Sequence, residues 1–99
     1  MIKNVIELIE YSQDGILSKE IDKSGKSSVT LFCMGKGTEL SEHTSTKEGV
    51  VYVVEGKGVF NLEGKDLIMS QGVLISMKCN ARHSLKVEEN TSFLLILTS

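Results

Sequence analysis

The chain has 99 residues, of which 40% are hydrophobic and 24% charged, and its formal net charge is −2 at pH 7. This balance is typical of a folded globular protein, and a chain of this length supplies one hydrophobic core. The weakly acidic charge and the presence of one arginine, Arg82, argue against a nucleic-acid partner, because phosphate binding needs clustered Lys and Arg. We therefore predict one domain over residues 1–99 that does not bind nucleic acid.

Residues 1–28 form an N-terminal segment with a short helix and a strand. Four apolar residues have helical spacing, with Asn4 as a candidate cap: Ile2, Val5, Ile6 and Ile9. Residues 15–21 are typical of a strand. Glu7 and Glu10 interrupt the apolar residues, so the segment resembles neither a signal peptide nor a membrane span. This predicts a cytoplasmic protein with no membrane partner.

Residues 29–99 are predicted to form an antiparallel β-structure. Short apolar runs, typical of strands, occupy residues 29–34, 50–54, 59–62, 67–69, 73–77 and 93–97. Gly56, Gly64 and Gly72 separate these runs at a constant period that Asn80 continues, as expected of strands joined by tight turns. The pattern predicts an all-β meander or Greek key.

Three of these runs, residues 50–54, 73–77 and 93–97, do not alternate between apolar and polar residues. Both faces of such strands are expected to meet apolar surroundings. A barrel interior accounts for one face, and a second layer or a partner chain must cover the other. The sequence therefore predicts a homodimer.

Two spaced motifs resemble those of the cupins, small β-barrels with the motifs G-x5-H-x-H-x3-4-E-x6-G and G-x5-P-x-G-x2-H-x3-N. The first motif runs from Gly37 through His43 to Gly56, and the second starts at Gly72 and reaches its histidine at His83. The resemblance implies a cupin-type antiparallel β-barrel of the jelly-roll class (double-stranded β-helix), with a short N-terminal helical turn. Both motifs would lie in the barrel core, residues 29–99.

In metal-binding cupins, the two histidines and the glutamate of the first motif surround one ion together with the histidine of the second. Here Ser45 stands in the second histidine position and Gly49 in the glutamate position, so the resemblance carries over only His43 and His83 as metal ligands. Fe, Ni, Cu, Mn or Zn are the divalent transition metals this implies. The expected pocket comprises His43, Ser45, Val51 and His83.

Two imidazoles alone hold such an ion loosely, so a third ligand is needed. Glu39 is the candidate third ligand, because it has the strand parity of His43. Cys79 offers a soft alternative close to His83 in sequence. Glu48 is next to the glutamate position, but a shift of one residue turns it outward unless a bulge intervenes.

Three functions follow from these residues. The first is binding of a small molecule in the barrel pocket, with a reduced or absent metal site. The second is a metal-dependent enzyme, dioxygenase- or isomerase-like, that uses His43 and His83. The third is a vestigial pocket in a protein that acts through its surface, which a tightly packed interior would favour.

Overall fold

The computed structural model describes all residues, 1–99, and contains one short helix and nine strands. Every strand pairing is antiparallel, so the predicted all-β jelly roll is confirmed. The elements in chain order are α1 (Val5–Leu8), β1 (Ile16–Lys23), β2 (Ser27–Met34), β3 (Glu39–His43), β4 (Glu48–Glu55), β5 (Lys57–Leu62), β6 (Lys65–Ser70), β7 (Leu74–Met77), β8 (His83–Val87) and β9 (Thr91–Thr98).

The strands form two sheets with many pairings between strands that are distant in sequence. The five-stranded sheet has the order β1-β2-β9-β4-β7, and the four-stranded sheet has the order β3-β8-β5-β6. The two sheets are not hydrogen-bonded to each other edge to edge, so the predicted barrel is a two-sheet jelly roll. Both strands that carry a histidine, β3 and β8, belong to the four-stranded sheet, where they are neighbours.

The main hydrophobic core lies between the two sheets. Phe60 and Met69 come from the four-stranded sheet, Met34 and Val53 come from the five-stranded sheet, and each is at most 1% exposed. Burying side chains of this size contributes about 1.5–3 kcal/mol each relative to leaving them exposed. This core holds the two sheets at the separation that defines the pocket between them.

The N-terminal segment covers part of the outer face of the five-stranded sheet. Asn4 caps helix α1 by accepting hydrogen bonds from the backbone N–H groups of Ile6 and Glu7. Four apolar residues of this segment pack over a second small core of Ile21, Leu31 and Cys33, namely Val5, Leu8, Ile9 and Tyr11. The second apolar face predicted from the sequence is therefore covered in part by the chain's own beginning.

Helix α1 has four residues, and the structure has no helix long and apolar enough to cross a membrane.

Strands β3 and β8 are the two that the apolar runs did not predict. Their sequences, Glu-Leu-Ser-Glu-His and His-Ser-Leu-Lys-Val, contain too few apolar residues to stand out as buried strands. They pair with each other, and β8 also pairs with β5 in the interior of the four-stranded sheet. Leu40 and Leu85 pack against the core, whereas Glu39, Glu42 and Lys86 are exposed.

Candidate functional site

His43 and His83 lie side by side in neighbouring strands. His43 ends β3, His83 begins β8, and the two are direct partners in the antiparallel register. Their ring centroids are 4.1 Å apart and the rings meet edge to face at 64°. The two imidazoles therefore share one pocket, although they are 40 positions apart in the sequence.

A bulge in β3 brings His43 to the inner face. Glu39 pairs with Lys86 and Leu40 with Leu85, but the register shifts before the next pairing, His43 with His83. The shift places Leu40 and His43 on the same side even though they are three residues apart, because one extra residue on a strand reverses the alternation of its side chains. Glu39 consequently faces away from His43.

Both rings are held in the same way by their own backbone. The Nδ1 atom of His43 lies 2.7 Å from the carbonyl oxygen of Ser41, and that of His83 lies 3.0 Å from the carbonyl oxygen of Ala81. A carbonyl only accepts hydrogen bonds, so Nδ1 carries the proton in each neutral ring and donates it. The lone pair of each neutral ring is thereby assigned to Nε2, which makes no hydrogen bond within the protein.

His83 is the buried member of the pair. It is 8% exposed, and its ring stacks on Phe60 with centroids 5.9 Å apart and an angle of 4°. Burial lowers the pKa of His83 below its usual range, the nearby His43 lowers it further, and the hydrogen bond to Ala81 opposes this effect. His83 is thus held in the neutral form at pH 7, whereas His43 is exposed to solvent.

The space beside the two rings is small and mostly apolar. The cavity has a volume of about 30 Å³, room for only one or two water molecules. Its lining residues, eight of them hydrophobic, are Phe32, Leu40, His43, Val51, Phe60, Met77, His83, Leu85, Phe93 and Leu95. No carboxylate lines it. The histidines are its only ionisable groups.

The residues present do not fit the four-ligand divalent metal site of cupins. No group of three or more His, Cys, Asp or Glu side chains converges anywhere in the structure. A Cβ atom on Gly49 would lie 3.1 Å from the terminal methyl of Met77 and 3.1 Å from a methyl of Leu97. These two apolar side chains occupy the place into which a glutamate would extend.

The other predicted ligands lie outside the cavity. Glu39 lines a polar groove on the outer face of the four-stranded sheet, and Glu48 is exposed at the start of β4. Cys79 is exposed and lines a separate shallow groove with Lys78 and Asn80. The prediction for Glu39 assumed a regular strand between Glu39 and His43. The bulge between these residues places Glu39 on the opposite face.

Among the predicted pocket residues, the structure brings His43, Val51 and His83 together around the cavity. Ser45 is not part of the lining. It lies in the loop between β3 and β4, where its carbonyl accepts a hydrogen bond from the Asn80 N–H at 2.7 Å and its hydroxyl accepts one from the Lys47 N–H at 3.2 Å. This serine joins the two loops that flank the histidine strands.

Sequence reasoning missed the apolar wall of the pocket. Phe60, which stacks on His83, and Met77, which fills the space beside Gly49, were each assigned to a strand but not to the site. The available signal was strand parity, because Met77 is two residues from the buried Ile75 and therefore lies on the same face of β7.

A two-sheet antiparallel jelly roll with paired histidines on β3 and β8 is the architecture that the two motifs predicted. The chain belongs to the cupin domain family, whose sequence pattern matches residues 30–98.

Similar proteins support this fold assignment. A cupin 2 conserved barrel domain protein from Leptotrichia buccalis is 30% identical, with a TM-score of 0.91 over 98% of this chain and 47% of that one. A conserved protein of unknown function from Streptococcus pyogenes is 21% identical, with a TM-score of 0.89 over 100% of this chain and 87% of that one.

A further similarity is to an enzyme. Acireductone dioxygenase from Bacillus licheniformis is 37% identical over 54 residues, which are 50% of this chain and 30% of the enzyme. The match thus covers less than a third of that enzyme's length, so its activity is not transferred to this chain.

Proposed function

We propose that this cupin domain binds a small ligand in the barrel cavity and that His43 and His83 together hold it. The observation that supports this proposal is the matched orientation of the two rings, whose Nδ1 protons are bonded to the carbonyls of Ser41 and Ala81. In both rings Nε2 is then an electron-pair donor without a partner in the protein. Two such atoms in one pocket suit a ligand that donates hydrogen bonds to both nitrogens, or a cation that both nitrogens coordinate.

The size of the cavity limits what enters it. A volume of about 30 Å³ is far below the roughly 300–1,000 Å³ of pockets that enclose a drug-sized molecule. Only an ion or a single small group of a larger ligand fits between the sheets. The rest of a larger ligand would lie at the mouth beside the exposed His43.

A metal-dependent enzyme is the second candidate, and the similarity to acireductone dioxygenase is the observation that favours it. Such an enzyme would need a third protein ligand beside the two imidazoles. No third His, Cys, Asp or Glu converges with them, because Met77 and Leu97 occupy the place of the family's glutamate. Metal analysis of protein purified without chelators or a metal-affinity tag tests this alternative. About one tightly held divalent ion per chain, lost when both histidines are replaced by alanine, would favour the enzyme.

The binding proposal is tested by nitrogen NMR of the histidine side chains during a ligand screen. A true ligand should shift the Nε2 resonances of both His43 and His83, and the shifts should vanish in His83→Gln. Lys86→Gln is the matched control, because Lys86 lies on the same strand with its side chain exposed. A screen covering polar small molecules and metal ions in which neither Nε2 signal moves would contradict the proposal.

A further inference from the structure

Residues 1–11 lie against the outer side of the five-stranded sheet without a backbone-to-backbone hydrogen bond to either sheet. Outside helix α1, the one such bond they make runs from the Ile9 N–H to the Ile6 carbonyl, within the segment itself. Strand pairing begins only at Ile16. The segment can therefore separate from the sheets without breaking a strand ladder.

Side chains alone attach this segment. Its polar attachments are hydrogen bonds from Lys3 to the Ile21 carbonyl, from Lys19 to the Leu8 carbonyl and the Glu10 carboxylate, and from Tyr11 to the Glu55 carboxylate. Each of these bonds is at least partly exposed, so water competes for the groups and each bond adds little stability. None of residues 1–11 is buried.

The small core beneath the segment is separate from the main core. Ile21, Leu31 and Cys33 form it, whereas the main core consists of eleven other buried residues between the sheets. Lifting residues 1–11 exposes the small core and leaves the main core intact. Local openings of this kind cost less free energy than global unfolding.

The turn that follows the segment is anchored to the sheet. The Gly15 N–H donates to the Ser12 carbonyl at 3.0 Å, and the Gly35 N–H donates to the Gly15 carbonyl at 2.9 Å. A Cβ atom on Gly35 would lie 2.7 Å from the Ser12 carbonyl oxygen, so the turn packs closely against the end of β2. Residues 12–15 therefore stay with the sheet when residues 1–11 leave it, and they supply the hinge.

A buried thiol and a buried hydroxyl lie beneath the segment. Cys33 and Ser92 are direct register partners in β2 and β9, both are 0% exposed, and Tyr11 packs on the cluster that contains Cys33. The Ser92 hydroxyl lies near that of Tyr11 but makes no hydrogen bond of acceptable geometry in the protein. An unpaired buried hydroxyl destabilises this closed arrangement relative to an open one in which water reaches it.

We infer that residues 1–11 form a lid that opens as a unit about the turn at residues 12–15 while both sheets stay folded, and that this lid controls access to the Cys33 thiol. The inference is independent of the proposed ligand pocket, which lies between the sheets.

Reaction of Cys33 with a small-molecule disulfide should hold the lid open. After the thiol of Cys33 has released its proton to water, its sulfur attacks one sulfur of the disulfide. The new S–S bond forms as the old one breaks, and the other half leaves as a thiolate. The added group does not fit beneath a closed lid, because Cys33 is fully buried there. The lid is thus a redox-sensitive latch.

The experiment follows the reaction of Cys33 with an aromatic disulfide that releases a coloured thiolate. It is done in a Cys79→Ser background, because Cys79 is exposed and would react on its own. We expect Cys33 to react completely at urea concentrations below the unfolding transition, with a rate that depends on urea much less steeply than global unfolding does, because little surface is exposed. No reaction below the transition, or a rate with the urea dependence of global unfolding, would overturn the inference.

Two tyrosine variants test how the lid is attached. Tyr11→Phe removes the hydrogen bond to Glu55 and should speed the reaction of Cys33 about fivefold or more. Tyr52→Phe is the matched control, because Tyr52 lies on β4 and does not pack on the small core. Equal rates in the two variants would overturn the role of Tyr11.

Ser92→Ala should have the opposite effect and slow the reaction, because it removes the unpaired hydroxyl from the closed arrangement. A faster reaction in this variant would contradict the role assigned to Ser92.

Proteolysis tests whether the segment opens as a unit. Chymotrypsin cleaves after leucine and tyrosine, so it should cut the mixed disulfide of Cys33 after both Leu8 and Tyr11 faster than it cuts the reduced chain. Reduction of the mixed disulfide should restore protection. Equal cleavage of the two forms would overturn the latch.

Discussion

Each histidine of the pocket donates its Nδ1 proton to the carbonyl oxygen two residues earlier in the chain. The contact is local, but its effect is on the other side of the ring, where it leaves Nε2 as the atom that meets a ligand. His83 is the more buried of the two rings and also stacks on Phe60, and its burial lowers its pKa.

The lowered pKa of His83 predicts that the folded state loses stability in mild acid. The unfolded chain binds a proton at a histidine with a pKa near 6.5, whereas the folded state resists protonation of His83. The unfolded state therefore binds more protons below pH 6.5, and the free energy of unfolding should fall as the pH drops from about 7.5 to about 5.5. Urea unfolding at several pH values measures this slope.

His83→Phe tests whether His83 causes this loss of stability in mild acid, because phenylalanine preserves stacking on Phe60 but does not titrate. Its slope over this interval should be smaller than that of the original chain. The pKa of Glu63 is also lowered, chiefly by the hydrogen bond from the Arg82 backbone, but stability linked to it is lost only below its unfolded pKa of about 4.5. An unchanged slope in His83→Phe would assign the acid sensitivity to other groups.

Among the secondary-structure elements, the junction between β4 and β5 is the most tightly constrained turn. Gly56 has a φ of +111°, and a Cβ atom there would lie 2.5 Å from Cα of Thr91. The Thr91 hydroxyl donates to the Lys57 carbonyl at 3.3 Å, so the neighbouring backbone is held in place. The turn therefore requires glycine for both its conformation and its space.

Gly56→Ala should consequently destabilise the fold much more than Gly72→Ala does. Gly72 also has a positive φ, +87°, but a Cβ there meets nothing within 4 Å. Gly72→Ala should cost about 1–2 kcal/mol from the left-handed conformation alone. Gly56→Ala adds a backbone clash and should exceed about 4 kcal/mol or prevent folding. Thermal or urea unfolding of both variants compares them, and equal losses would contradict the close approach to Thr91.

For the whole molecule, the uncovered part of the five-stranded sheet is the surface on which the homodimer prediction depends. The N-terminal segment covers β1 and β2, but Tyr52 on β4 and Leu74 on β7 are direct register partners that are 39% and 63% exposed. Half-buried apolar residues extend the same face: Val50, Val54, Leu94 and Ile96. Such a face suits a second copy of the chain, since two-fold symmetry joins identical patches.

We predict that Leu74→Lys weakens self-association while Ile68→Lys leaves it unchanged. Ile68 is also 63% exposed but lies on β6 in the other sheet, so the two variants add the same charge at the same exposure. Loss of a central apolar contact at an interface costs about 2 kcal/mol or more of binding free energy. Leu74→Lys should therefore raise the dimer dissociation constant more than tenfold. Sedimentation over a range of concentrations measures it, and a monomeric original chain would refute the prediction.

The sequence by itself predicted the antiparallel jelly roll and the capped N-terminal helix, and its resemblance to the cupins predicted that His43 and His83 share one pocket. Apolar runs, turn-forming glycines and motif spacing are local features of the sequence. The periodicity within a strand indicates which of its residues are buried. Only the tertiary structure decided that β3 contains a bulge, that Glu39 faces outward and that Met77 fills the place of a glutamate. Those outcomes depend on the register between strands distant in the chain, which no local pattern records.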